Sequence, residues 1–183
     1  MGKRFLICID CQNDFITGSL RNEQAILAVP NMVKKIHEFD GDAIFVTLDT
    51  HRDDYLSTKE GEKLPVTHCV KGSWGWNIEE NVKAALNDAS LRGIKVDFIE
   101  KPTFGSESLV DRVIVDSLHE DEIEIEIFGL CTDICVVSNA LLLKAALYDR
   151  ANITVLSKCC AGVTEELHDA AIKTMRSCQI NIN

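Results

Sequence analysis

Short apolar runs alternate along the chain with longer stretches in which apolar residues recur at helical spacing. The runs are rich in Ile, Val, Phe and Leu, which is typical of strands buried in a parallel sheet. They predict strands at 4–9, 43–48, 94–99, 123–128, 152–156 and 179–182. The stretches between them predict helices at about 28–39, 77–90, 106–118, 132–149 and 164–177. This alternation favours an α/β fold in which helices cover both faces of a parallel sheet.

Three of the predicted helices carry start signals. Pro30 lies near the start of the first, and Thr164 precedes two acidic residues in the first turn of the last. Thr132 and Asp133 open the apolar run of another. Neither an internal repeat nor a linker interrupts the pattern, so we expect residues 1–183 to form one domain.

Two segments depart from this alternation. Residues 49–76 form a polar, glycine-containing stretch without a clear period, and a loop of that length in a compact domain is usually functional. Residues 120–127 alternate strictly between acidic and apolar positions, which predicts a strand with one solvated face. The directions of Glu122, Glu124 and Glu126 stay open at this point.

Composition and charge exclude some classes of partner and indicate the cellular compartment. Among 183 residues, 19 are basic and 29 acidic, and the net charge of −10 argues against nucleic acid or an anionic membrane as the main partner. The N-terminus lacks a signal-peptide pattern, and no stretch approaches the roughly 20 apolar residues of a membrane span. We therefore expect a cytoplasmic protein with reduced thiols.

The eight cysteines are consequently expected to be mainly small buried hydrophobic residues. Cys8 and Cys11 form a Cys-x-x-Cys pair, which could indicate redox or zinc chemistry. However, Cys8 lies within a predicted strand, and a second pair that would complete a zinc ribbon is missing. For the adjacent Cys159 and Cys160, packing is the favoured interpretation.

Polar residues follow four of the predicted strands, and the carboxyl ends of parallel strands lie at the edge where ligands bind. In chain order these residues are Asp10, Gln12 and Asp14, then Asp49 and His51, then Lys101, and finally Cys131, Thr132, Asp133 and Cys135. An acid, a lysine and a thiol at one edge are the components of a nucleophilic cysteine site.

Cys135 is the candidate nucleophile because it falls in the first turn of a predicted helix, where free N–H groups lower a thiol pKa and can hold an oxyanion. Asp10 could take the thiol proton and pass it to a leaving amine, and Lys101 would lower the pKa of nearby acids by its charge. Taken singly, a buried structural cysteine, a strand-end cap and a surface lysine are the alternatives. The three residues together favour attack on an amide carbonyl, with a thioester that water then hydrolyses.

Three segments resemble, in order, the motifs of the isochorismatase-like cysteine hydrolases: Ile9–Phe15 with Gly18–Leu20, Lys101–Phe104, and Gly129–Val136. A late segment, 166–168, fits as well. The resemblance implies a three-layer αβα sandwich with a six-stranded, mainly parallel sheet. It also implies that homo-oligomers form.

The same resemblance implies roles for individual residues. Cys135 would be the nucleophile, Asp10 the general base or acid, and Lys101 the cation that orients them. A cis peptide would precede Cys131, and the backbone N–H groups of Cys131 and Cys135 would form the oxyanion hole.

A metal site is the second candidate, because Asp49 and His51 lie at i and i+2 on one side of an extended segment. With His68, they form a pattern similar to the nicotinamidase branch of the family, in which Zn²⁺, Fe²⁺ or Mn²⁺ holds the pyridine nitrogen of the substrate. Carboxylate and imidazole ligands suit such ions. That branch commonly has a further His, which is missing from 52–56; Glu60 fits a fourth ligand best by spacing, with Glu62 as its rival. A hydrogen-bonded turn is the alternative for Asp49 and His51.

Aromatic residues are candidates to line a flat substrate pocket. These are Phe15, Trp74, Trp76 and, within the Lys101 motif, Phe104. Ordinary packing is the alternative for each. Glu107 stands where the family usually has an aromatic residue, and this difference bears on the choice of substrate.

The function predicted from the sequence is therefore a metal-assisted cysteine amidohydrolase, a nicotinamidase acting on a small-molecule amide. The alternative enzyme is a member of the same superfamily that acts on a carbamoyl or ureido substrate and needs no metal set. A non-catalytic or redox-sensing protein on the same fold is the alternative from a different class.

Overall fold

A six-stranded sheet in which every pairing is parallel forms the centre of the protein, in a computed structural model that describes residues 2–183. The apolar runs of the sequence form it, as predicted. The strands are β1 (Lys3–Ile9), β2 (Ala43–Asp49), β3 (Lys95–Lys101), β4 (Ile123–Leu130), β5 (Ala151–Ala161) and β6 (Asn181–Ile182).

Helices flank the sheet and complete the three-layer α/β arrangement, which confirms the predicted fold class. One group, α2 and α4, packs together against β3, β4 and β5; a second group consists of α5, α6 and α7, which are neighbours in that order. The helices are α1 (Asn13–Ile16), α2 (Glu23–Glu38), α3 (Lys59–Lys63), α4 (Glu80–Leu91), α5 (Glu107–Asp116), α6 (Val137–Leu147) and α7 (Glu165–Ser177).

The strand order, β3-β2-β1-β4-β5-β6, places β1 and β4 side by side at the centre of the sheet. After β3 the chain returns to the other side of β1, so the order of winding reverses between β1 and β4. In open α/β sheets ligands bind at such a reversal, beyond the carboxyl ends of the strands. The sheet therefore directs attention to the residues that follow Ile9 and Leu130.

The interpretation of Pro30 as a position near a helix start is wrong. Helix α2 begins earlier than predicted because the Asn22 side chain caps it, accepting hydrogen bonds from the backbone N–H groups of Gln24 and Ala25. Pro30 lies in the interior of α2, where its ring is exposed. Helix propensity at this position is overridden by the packing of the helix on the sheet.

Two irregular segments are now defined. The long stretch 49–76 contains a 3₁₀ turn, Tyr55–Ser57, and the short helix α3. In β4, Glu124 faces solvent, whereas Glu126 is half-buried and pairs with Lys35 at 2.6 Å.

None of the helices described within residues 2–183 is both long and apolar enough to cross a membrane.

Candidate active site

The reversal of the sheet brings together the three residues of the candidate nucleophilic site. Asp10 follows β1, Lys101 ends β3, and Cys135 lies in a π-helical turn, Thr132–Val136, that follows β4. The Lys101 Nζ lies 2.6 Å from Asp10 Oδ2 and 3.5 Å from Cys135 Sγ. The side chains are buried, with exposed fractions of 0%, 1% and 4% for Asp10, Lys101 and Cys135. An acid, a cation and a thiol thus share one water-poor site.

Asp10 is held by the neighbouring strand β2. Its backbone adopts a left-handed conformation (φ 48°), which is uncommon outside glycine. Thr47 donates its hydroxyl hydrogen to Oδ1 at 2.6 Å. The other oxygen, Oδ2, is buried and faces Lys101 Nζ at 2.6 Å. Burial raises the pKa of Asp10 more than the charge of Lys101 lowers it. Oδ2 is therefore free to accept a proton.

Lys101 keeps its charge although it is buried. Burial alone would lower its pKa, but the negative charge of Asp10, with smaller contributions from Cys135 and Asp49, raises the pKa above its usual value. Nζ also donates a hydrogen bond to the carbonyl oxygen of Thr103 at 3.0 Å. The ammonium is thus fixed in place by groups on both sides.

The expectation that the Cys135 pKa is lowered is not met. Burial, followed by the charge of Asp10, raises the pKa of the thiol well above its usual value, and Lys101 offsets this only in part. A π-helical turn also replaces the expected first turn of a regular α-helix. Cys135 consequently rests as a neutral thiol, and a base must remove its proton before it can attack.

The turn that carries Cys135 begins where β4 approaches β1 closely. At Gly129 (φ 137°) a Cβ would collide with the backbone of Ile9, so a glycine is needed here. The Leu130–Cys131 peptide that follows is cis, as the sequence resemblance implies. Cys131 and Cys135 both line the cavity described below.

A second cluster of polar side chains lies beside the first. One ligand atom each from Asp49, His51 and His68 falls within 4.8 Å of the others. The Nε2 atoms of His51 and His68 lie 3.1 and 3.4 Å from Asp49 Oδ2. Because His68 Nδ1 faces the carbonyl oxygen of Val66 at 2.8 Å, its Nε2 is turned toward the cluster. The donor set of one carboxylate and two imidazoles fits a divalent transition metal.

Glu60, from α3, completes this cluster. Its Oε1 lies 3.7 Å from His51 Nε2 and 3.9 Å from His68 Nε2. The rival, Glu62, is exposed and makes no ion pair with either histidine in the described part of the chain. Burial raises the pKa of the Asp49 carboxyl, but hydrogen bonds from His51 and His68 lower this pKa by a larger amount. The pKa of Asp49 is therefore below its usual value, and the carboxyl stays ionised.

Residues without a predicted role support the second cluster. The Gln12 side chain accepts from the backbone N–H of Asp49 at 2.8 Å and donates to its carbonyl oxygen at 2.9 Å. The Tyr55 ring packs against both His51 and His68, with centroid distances of 4.6 and 4.8 Å. Gln12 was recognisable only as a polar residue after a strand, and for Tyr55 the sequence offers no signal beyond its place in the long irregular stretch.

One cavity of about 1060 Å³ connects the two clusters. The candidate pocket residues Phe15 and Phe104 line it, together with Cys135, Asp49 and His68. Further lining residues at its outer part are Leu20, Arg21, Lys59, Lys63, Leu64 and Val163. This volume is slightly above the range of about 300–1,000 Å³ that is usual for small-molecule sites.

The prediction that Trp74 belongs to this pocket is wrong. Its side chain is 62% exposed and lines a separate groove near Pro30 and Ile78. The Asn13 side chain donates a hydrogen bond to the Trp74 carbonyl oxygen at 2.9 Å. Trp76 is half-buried and donates its indole hydrogen to Thr50 at 2.9 Å.

Comparisons with known proteins agree with this arrangement. A family model for the isochorismatase domain matches residues 4–182. A Bacillus subtilis protein described as an uncharacterized isochorismatase family protein, PncA, is 29% identical over 145 residues, which are 76% of this chain and 77% of that protein. The structure of nicotinamidase PncA from Bacillus subtilis superposes with a TM-score of 0.81 at 25% identity, covering 98% of both chains. The pyrazinamidase of Pyrococcus horikoshii in complex with zinc superposes at 0.74, with 22% identity over 99% of this chain and 98% of that one, a likeness of fold alone.

The fold and the site together define a class: a three-layer α/β protein in which a thiol, a carboxyl group and a buried ammonium meet at the central reversal of a parallel sheet. The match of the family model, which extends over nearly all of the residues, identifies the family within that class. The chain belongs to the isochorismatase family.

Proposed function

We propose that the protein is a metal-assisted cysteine amidohydrolase, a hydrolase of amide C–N bonds, which converts nicotinamide and water into nicotinate and ammonia. One observation carries the proposal: a single cavity contacts Cys135 of the nucleophilic site and Asp49, Glu60 and His68 of the metal-ligand cluster. Its similarity to structures of nicotinamidases and pyrazinamidases supports the proposal.

The first half of the reaction uses the thiol and the buried acid. Asp10 Oδ2 takes the proton of Cys135, and Sγ attacks the carbonyl carbon of the amide. The backbone N–H groups of Cys131 and Cys135 would hold the oxyanion that forms. Asp10 then returns the proton to the nitrogen, ammonia leaves, and a thioester remains on Cys135.

In the second half, Asp10 takes a proton from water as the water oxygen attacks the thioester carbon. The C–S bond breaks, the proton held by Asp10 passes to the Cys135 sulfur, and the acid product leaves as nicotinate after its carboxyl proton is released to solvent. Lys101 stabilises the ionised forms of Asp10 and Cys135 throughout, because its ammonium contacts both.

Asp49, His51 and His68, with Glu60 as a fourth ligand, would hold a divalent metal ion: Zn, Fe or Mn. When bound, this ion supplies a Lewis acid that holds a pyridine nitrogen of the substrate. A carbamoyl or ureido substrate without a pyridine would not need this cluster, so the convergence of these side chains favours a pyridine amide.

The decisive experiment measures ammonia release from nicotinamide by metal-loaded protein, by the same protein after chelation, and again after the metal is returned. Cys135→Ala should abolish release, whereas Cys178→Ala should leave it unchanged because Cys178 is exposed and lies outside the cavity. No release by fresh metal-loaded protein would reject the nicotinamidase activity. Release that survives Cys135→Ala would reject the thioester mechanism.

A further inference from the structure

Asn139 is a fully buried polar side chain in α6, one helical turn after Cys135. Its amide nitrogen donates to the carbonyl oxygen of Cys135 at 2.7 Å and to that of Phe104 at 3.0 Å. Its own carbonyl oxygen accepts from the backbone N–H of Ser106 at 2.9 Å. Two partners are acceptors and one is a donor, so only this orientation of the amide satisfies all three.

The segment that Asn139 holds, residues 102–106, follows Lys101 directly. The carbonyl oxygen of Thr103 in this segment accepts the hydrogen bond from Lys101 Nζ, and Ser106 caps α5. Within residues 2–183, every hydrogen bond between segments 102–106 and 131–139 is made by the Asn139 side chain. Asn139 thus links the backbone that holds the ammonium to the backbone that holds the thiol.

The sheet alone connects the Lys101 ammonium and the Cys135 thiol only indirectly. Lys101 ends β3 and Cys135 follows β4, and two strands, β2 and β1, lie between them. Small shifts in each strand pairing would add up to a larger change in the distance between Nζ and Sγ. The hydrogen bonds of Asn139 join the two connecting segments directly and so limit this change.

We propose that Asn139 is a positioning residue that holds Lys101 Nζ at contact distance from Cys135 Sγ. The proposal rests on the proposed function, since it takes Cys135 as the nucleophile. A misplacement of about 1 Å in a catalytic contact can lower a rate about 100-fold. When Nζ moves away, less of the thiol is ionised and its reactivity falls.

Two variants separate this role from general packing. In Asn139→Thr the hydroxyl can still bond the carbonyl oxygen four residues earlier in the helix, that of Cys135, but it cannot reach Phe104 and Ser106. In Asn139→Asp the acceptor for Ser106 is retained and both donors are lost. Ser117→Ala is the matched control, because it removes a buried helical hydrogen bond, to Val113 at 2.7 Å, at the far end of α5.

The readouts are kcat and KM for nicotinamide and the rate at which iodoacetamide alkylates Cys135, followed by peptide mass mapping. We expect both Asn139 variants to lose about 100-fold in kcat with KM changed by less than about threefold. Alkylation should slow at least tenfold, to about a tenth of the rate in Ser117→Ala.

The proposal is overturned if kcat and the alkylation rate of the Asn139 variants both stay within twofold of the values in Ser117→Ala. It is also overturned if kcat falls only in proportion to the folded fraction of the protein. If Asn139→Thr does not fold, Asn139→Asp decides by the same two rates. Alkylation does not depend on the identity of the amide. Should the unmodified protein release no ammonia from nicotinamide, the proposed function fails while the alkylation comparison still tests Asn139.

Discussion

Replacing Lys101 by methionine tests whether the buried ammonium keeps Asp10 available as a base. Methionine retains most of the apolar stem but removes the charge that lies 2.6 Å from Asp10 Oδ2. At that distance and an effective dielectric constant of about 20, the two charges attract by about 6 kcal/mol. Burial already raises the pKa of Asp10 in the presence of Lys101. Without Lys101 that pKa must rise further, so Asp10 becomes protonated at neutral pH.

Even half of this attraction shifts the protonation of Asp10 about 100-fold, because 1.36 kcal/mol corresponds to a factor of ten. We therefore expect kcat/KM for nicotinamide to fall at least about 100-fold in Lys101→Met at pH 7. Removing one partner of a buried ion pair also lowers the free energy of unfolding, by about 3–5 kcal/mol.

Ammonia release and urea denaturation check the two effects separately. The double variant Asp10→Asn/Lys101→Met, in which neither charge of the pair is left alone, should regain much of the stability and none of the activity. Lys59→Met is the control, since Lys59 is an exposed lysine at the cavity. Activity of Lys101→Met within tenfold of the unmodified protein would refute the role given to the ammonium.

Three further outcomes are expected. Glu60→Gln should weaken metal binding at least about tenfold in a competition titration, while Glu62→Gln leaves it unchanged; equal effects would contradict the assignment of Glu60. In urea denaturation, Gly129→Ala should lower the free energy of unfolding by more than about 3 kcal/mol. Gly93→Ala should lower it by only about 1 kcal/mol, because the added Cβ meets open space. Activity should fall as the pH drops through the raised pKa of Asp10, so the acid limb of the pH–rate profile lies above the usual aspartate range; a limb within that range would argue against Asp10 as the base.

The sequence predicted the parts of the site that come directly after strands. Buried parallel strands have a distinctive composition, and polar residues such as Asp10 and Cys135 stand at their carboxyl ends. The structure places both of these beside Lys101. It also places Glu60, and not Glu62, beside the two histidines, a difference that spacing alone could not predict because both carboxylates lie within one turn of α3.

What could not be predicted depends on contacts between distant segments. Thr47 sits inside a fully buried strand, and Asn139 lies in a helix that is apolar on nearly every side. Neither pattern indicates a hydrogen bond to a site residue. The error over Trp74 has the same origin, because an aromatic residue in an irregular loop can face either side of the chain, and here its side chain lines a groove away from the cavity.

The central position of β1 and β4 has a consequence for how the protein acquires activity. The acid and the thiol come from strands that are adjacent in space and far apart along the chain, and the lysine comes from a third strand across the sheet. Such pairings have high contact order and close late and slowly during folding. A chain in which β4 has not docked against β1 therefore lacks the site. Catalytic activity therefore reports the docking of β4 against β1, and no shortened form that lacks β4 can carry out the reaction.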